Sequence, residues 1–188
     1  MDRIIGALTF RREVYAEVEK DAAFSTTAWI LVVVVAFINQ LGAAASRDLL
    51  GWWFGAVAGT VFAVIGFALG AFVISLVGRA AFNAEVTFEE MVRTLGLAYV
   101  WQVVGVFGIL GVLAPALGCL TGAALLVAAL LGLVAWFLAT KEALDLEWLQ
   151  TIVTVIIGWL VVAAIMVAGG IVLGLLGFGA AGLGGLLG

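Results

Sequence analysis

Asn39, Gln40, Thr60, Ser75, Tyr99, Gln102, Thr121 and Thr154 are hydrogen-bonding side chains set within otherwise apolar stretches. A polar group in hydrocarbon must find a partner, which is either a neighbouring helix or a polar solute. Asn39 and Gln40 fall in the outer third of their stretch, and Gln102 nearer the middle of another. A solute path needs several such groups at one depth, and the spacing does not bring these together. Asn39, Gln40 and Gln102 are therefore read as intramembrane polar contacts between helices, with a neutral solute as the alternative ligand. The chain has no histidine. That excludes Ser-His and Cys-His nucleophilic catalysis, histidine haem ligation and histidine zinc sites. Cys119 is the sole cysteine, so neither an intrachain disulfide nor a thiolate cluster is available. Two acidic groups, Glu85/Glu89/Glu90 and Glu142/Asp145/Glu147, carry oxygens suited to a divalent cation, but their spacing matches no metal loop. No catalytic set, metal site or cofactor is expected.

The elements that position these residues are hydrophobic stretches at about 25–44, 52–77, 94–113, 116–139 and 149–176. Each is near the length of about 20 residues that crosses a bilayer. With 66% hydrophobic residues and a mean hydropathy of +1.32, the chain reads as an all-α, polytopic membrane bundle of five helices. A cytoplasmic, helical juxtamembrane segment (1–24) precedes it, and a Gly-rich tail (177–188) follows. Glu13, Glu17, Glu19 and Asp21 interrupt any apolar core of a cleaved leader. No lysine, arginine or carboxylate falls inside the five stretches as bounded, and ion-coupled transport generally needs such groups at membrane depth.

Arg3, Arg11, Arg12, Lys20, Arg79, Arg93 and Lys141 lie on one side of this topology, and Arg47 alone on the other. The positive-inside rule then puts the N-terminus in the cytoplasm and the C-terminus outside. The net charge of −4 argues against a polybasic surface for anionic lipid or nucleic acid. Lipids, other membrane proteins or a second copy of the chain are the expected partners.

Local signals place the helix ends. Thr87-Phe88-Glu89-Glu90 has capping-box spacing and predicts a helix running into the third span. Asp145 is placed to cap the start of the fifth, and Pro115 marks a tight turn between the third and fourth. In the first segment Ile4, Leu8, Val14, Tyr15 and Val18 share one side of a single helical wheel, with Arg11 and Glu19 intruding. Gly55, Gly59, Ala63, Gly66 and Gly70 form a stripe of small residues on the second span, and Gly118 and Gly122 repeat the spacing on the fourth. Such faces admit a second backbone; close packing within the chain, a homodimer seam and a cofactor groove are the readings open to them.

The run Arg3-Ile4-Ile5-Gly6-Ala7-Leu8-Thr9-Phe10-Arg11-Arg12-Glu13-Val14-Tyr15, followed by Glu17, Glu19 and Asp21, resembles bacterial members of the Yip family. So do Thr87-Phe88-Glu89-Glu90 with Arg93, Leu95 and Gly96, and Lys141-Glu142-Ala143-Leu144-Asp145-Leu146. The resemblance implies a five-span scaffold of a bacterial inner membrane with a cytosolic N-terminus, and brings no catalytic residues. Eukaryotic members interact with prenylated Rab-type GTPases, a partner that does not transfer to a bacterium. Many relatives carry a proline early in the third span. Gly96-Leu97-Ala98-Tyr99-Val100-Trp101 has none, which implies a straighter helix here.

Overall fold

Helices α3 (Phe24–Ala43), α4 (Leu49–Phe82) and α7 (Gly118–Leu144) surround a third span built in three pieces: α5 (Phe88–Ala98), a 3₁₀ segment (Tyr99–Gly108) and α6 (Ile109–Leu113). They are preceded by two short helices, α1 (Asp2–Leu8) and α2 (Arg12–Lys20), and followed by α8 (Trp148–Val161). This computed structural model describes residues 2–161, 163 and 164, and their regular structure is all helical. Residues 165–176 of the expected fifth span and the Gly-rich tail at 177–188 lie outside the described residues. Phe24–Ala43, Leu49–Phe82, Phe88–Leu113 and Pro115–Leu144 are each long and apolar enough to cross a bilayer, and α8 is a shorter apolar helix. The protein is a helical membrane bundle, which satisfies its backbone within each segment.

The third span is the centre of the packing. Every residue of α5 from Met91 to Ala98 is buried, enclosed by α2, α3, α4 and α7. Its start is locally encoded. Glu90 N–H donates to Thr87 Oγ1 at 3.2 Å, and Thr87 N–H to Glu90 Oε2 at 2.6 Å, completing the capping box. Beyond Ala98 the span departs from the expected straight α-helix and winds as 3₁₀ for 10 residues, where runs beyond about four are uncommon. The cause is a contact that a proline count does not register. Gly42 of α3 lies directly on the carbonyl of Gly105, and a Cβ on Gly108 would stand 2.7 Å from Gly42 O. Asn39 Nδ2 donates to Gln102 O at 2.7 Å across the same crossing. An interhelical donor of this kind makes irregular winding tolerable at membrane depth.

Two helix ends follow their side chains. Asn83 (φ 54°) closes α4 in the left-handed region that Asn tolerates. Asp145 does not open α8; at φ 48° it closes α7 instead. The Lys141 ammonium donates to Leu146 O at 2.9 Å, covering a carbonyl just past that end. The start of α8 is served by Gln150, whose Oε1 accepts from Glu147 N–H at 3.2 Å.

The N-terminal segment is a hairpin rather than one imperfect amphipathic helix. Phe10 adopts φ 58° between α1 and α2, and the two halves then bury separate faces. Ala7, Val14, Tyr15 and Val18 go inward while Leu8 stays exposed. This break explains the intrusion of Arg11 and Glu19 on a continuous wheel. A phenylalanine at positive φ is strained by about 1–3 kcal/mol. Its ring stacks on Trp101 at 5.3 Å and 11°, which holds it there. Phe10→Gly removes the ring and the strain together, whereas Phe10→Ala removes only the ring. We expect hairpin docking to rank wild type, then Gly, then Ala, with Gly about 1 kcal/mol better than Ala, the reverse of their order in a helix. Protease nicking rates between α1 and α2 in detergent check the order.

Candidate functional site

Two cavities and one polar latch hold some of the residues singled out by the sequence; Gln40, Gly55, Gly59, Gly118 and Gly122 lie outside them. The small-residue stripe on α4 divides along its length. At one end it meets α3: a Cβ on Gly55 would stand 3.1 Å from Ala44 Cβ, and one on Gly59 would run into the Gln40 amide. Further along, Ala63, Gly66 and Gly70 line a groove of about 310 Å³ with Phe67, Tyr99 and Trp136. Gly66 faces open space, with nothing within 4 Å of an added Cβ. Edge-to-face contacts connect this groove across the bundle: Trp29–Phe67 at 5.9 Å, Phe67–Tyr99 at 5.3 Å, Phe67–Trp136 at 6.3 Å and Trp136–Trp159 at 6.1 Å. Aromatic pairs at these separations favour such T-shaped geometry. Gly118 and Gly122 on α7 also have no heavy atom within 4 Å of a Cβ position, so no described segment packs on them.

The second cavity, about 360 Å³, lies between α3, the 3₁₀ segment and α7, and is lined by Asn39, Gly42, Trp101, Gln102, Gly105 and Ala128 among others. Asn39 and Gln102 are therefore brought together, although spacing along the chain did not place them at one depth. Gln40 and Tyr99 are elsewhere, the first against Gly59 and the second in the aromatic groove. Sequence reasoning missed Trp101, Gly42 and Gly105. The faint signal for them was Gly42 three residues after Asn39 and Gly105 three after Gln102.

The latch is Arg93, which sequence reasoning counted as a loop charge and as part of the Yip-like pattern, but not as a buried contact. It is 6% exposed. Nε donates to Val18 O and Glu19 O at 3.0 Å each, Nη2 also donates to Glu19 O, and Nη1 donates to Ser25 Oγ at 3.2 Å. Both carbonyls belong to the last turn of α2, where backbone donors run out; Val18 O also accepts from Asp21 N–H at 3.3 Å. Glu90 stands 4.0 Å from the guanidinium. On the rim, Arg3 pairs with Glu17 at 2.6 Å and with Asp21 at 2.7 Å, tying α1 to the far end of α2. Among the described residues no group of three or more His, Cys, Asp or Glu stands close enough to hold a metal ion.

The carboxylates around this latch shift in opposite senses. Burial, and then the negative charge of Asp145, raise Glu19 above the usual range. The hydrogen bond from Arg3 lowers Asp21. A raised Glu19 favours the docked hairpin below its unfolded value, and that contribution is lost as pH rises through its folded value. A lowered Asp21 contributes above its unfolded value, and that contribution is lost as pH falls through its folded one. Hairpin docking should therefore tighten on mild acidification and loosen again at lower pH. Glu19→Gln should abolish the tightening limb and leave the acid loosening. Hydrogen exchange of the α2 amides across pH, corrected for intrinsic rates, reads both limbs.

Residues 5–184 match the sequence pattern of the Yip1 domain. No curated protein and no solved structure matches the chain. The match spans nearly the whole sequence, from within α1 onward, and includes α2, the capping box and Arg93. The chain belongs to the Yip1 domain family and is an integral membrane protein.

Proposed function

We propose that the protein is a non-enzymatic membrane scaffold or accessory subunit that binds other membrane proteins, or a second copy of itself, with its N-terminus in the cytoplasm of a bacterial cell. The observation that carries this reading is a face of α7 on which no described residue packs. Gly118 and Gly122 lie one turn apart with no neighbour among the described residues, and Leu126, a further turn along the same side, is 63% exposed. Lipid supplies no hydrophobic drive between helices, so close backbone approach over small residues is what a partner helix can gain there. Among the described residues the connections between spans are short, which adds to the reading. The bias of basic residues toward the hairpin end supports the orientation.

Cys119 makes the face testable without engineering. It is the sole cysteine, it is exposed, and it lies between Gly118 and Leu120. Mild thiol oxidation in native membranes should trap a Cys119 homodimer if two copies meet there. If the partner is foreign, native mass spectrometry from a mild detergent, without overexpression, should show it in stoichiometric amount. Gly122→Leu should reduce either species several-fold while leaving the fold intact, because no described residue packs on that glycine. A protein that stays monomeric and alone in both measurements contradicts the scaffold reading.

A further inference from the structure

We propose that the cavity between α3, the 3₁₀ segment and α7 is a binding site for a small uncharged solute that both donates and accepts hydrogen bonds. The proposal goes beyond the scaffold reading and does not depend on it. Its first support is an excess of unused polar groups. Asn39 spends one N–H on Gln102 O. Its Oδ1 and second N–H, and the whole side-chain amide of Gln102, have no hydrogen-bond partner among the described residues. Trp101 also lines the cavity, but its indole N–H is closed to a water-sized molecule and does not open into the space. At membrane depth an amide left without a partner carries a desolvation cost. Two neighbouring amides with unused capacity in one cavity call for an occupant.

The lining also selects the occupant's chemistry. Two primary amides supply donors and acceptors without formal charge, and no ionisable side chain among the described residues lines the cavity. A charged solute would go uncompensated there. An alkyl chain would leave the amides unsatisfied. At about 360 Å³ and about 30 Å³ per water molecule, the space matches about a dozen waters, room for a polyol or small amide from glycerol up to hexitol size. The backbone keeps the space open: the Gly42–Gly105 crossing brings α3 and the third span together at one wall, and α7 contributes only small or aliphatic side chains such as Ala128 to the other.

The test titrates glycerol into the full-length protein in lipid nanodiscs while following the Asn39 side-chain amide resonances by NMR. A saturable shift is expected. Gln102→Leu, which keeps the volume but removes the amide, should weaken it about tenfold. Ala128→Phe, which fills the cavity from α7 without touching the amides, should abolish it. Val61→Ala, on the exposed side of α4 and outside the cavity, should leave it unchanged. A drift that does not saturate, or one equally present in Ala128→Phe, would overturn the proposal and leave water as the occupant. Unchanged saturation in Gln102→Leu would overturn it as well.

Discussion

A buried guanidinium holds this molecule's two parts together. Arg93 lies in the most enclosed helix of the bundle, yet its donors reach out of that helix to the last carbonyls of α2 and to Ser25 at the start of α3. A charge at 6% exposure persists only if its donors are satisfied. Here the acceptors are carbonyls in the last turn of a helix, where backbone donors run out, so each group reduces the other's penalty. Once α2 is fixed, Val14, Tyr15 and Val18 can be buried on α5 and α7, and the chain reversal at Phe10 brings its ring onto Trp101. Burial raises the Tyr15 phenol well above its ordinary range, which leaves it neutral at any physiological pH.

The far half of the third span is governed by backbone contact. Gly42, Gly105 and Gly108 let α3 and the 3₁₀ segment meet at main-chain distance, and Asn39 bonds a carbonyl across the seam. This is how helices associate where lipid is as apolar as leucine. The two halves thus use different physics: charge-assisted hydrogen bonds at the hairpin end, and glycine contact with an amide bond toward the other. Between them runs the edge-to-face series from Trp29 to Trp159, connecting α3, α4, the third span, α7 and α8 at a depth where no ionic contact is available.

Local chemistry was readable in the chain; pairings between distant residues were not. The helical membrane class follows from apolar runs, and the capping box at Thr87–Glu90 from spacing alone, because both are properties of consecutive residues. Asp145 was misread as an N-cap because Asp also tolerates positive φ, and only the neighbouring backbone decides between those uses. Arg93 was hidden by a boundary: one residue before an apolar stretch it counts as a loop charge, and nothing local says that α2 will present its carbonyls there. The glycine stripe on α4 was visible as small residues. What each faces, a helix at Gly59 and a groove at Gly66, depends on partners far along the chain. The Asn39–Gln102 pairing needed the 3₁₀ winding, which no single residue type announces.

The most direct measurement is hydrogen exchange of the whole protein in nanodiscs, comparing wild type with Arg93→Met and Arg93→Lys. The methionine removes every donor and keeps most of the volume. The lysine keeps the charge but cannot fork to Val18 O, Glu19 O and Ser25 Oγ together. If Arg93 is the latch, amides of Val14–Lys20 lose protection by a hundredfold or so in Arg93→Met, corresponding to about 3 kcal/mol. The loss is smaller in Arg93→Lys, and α3 and α7 stay protected in both. Protection of α2 that survives Arg93→Met would contradict the account and return the hairpin's docking to apolar burial alone.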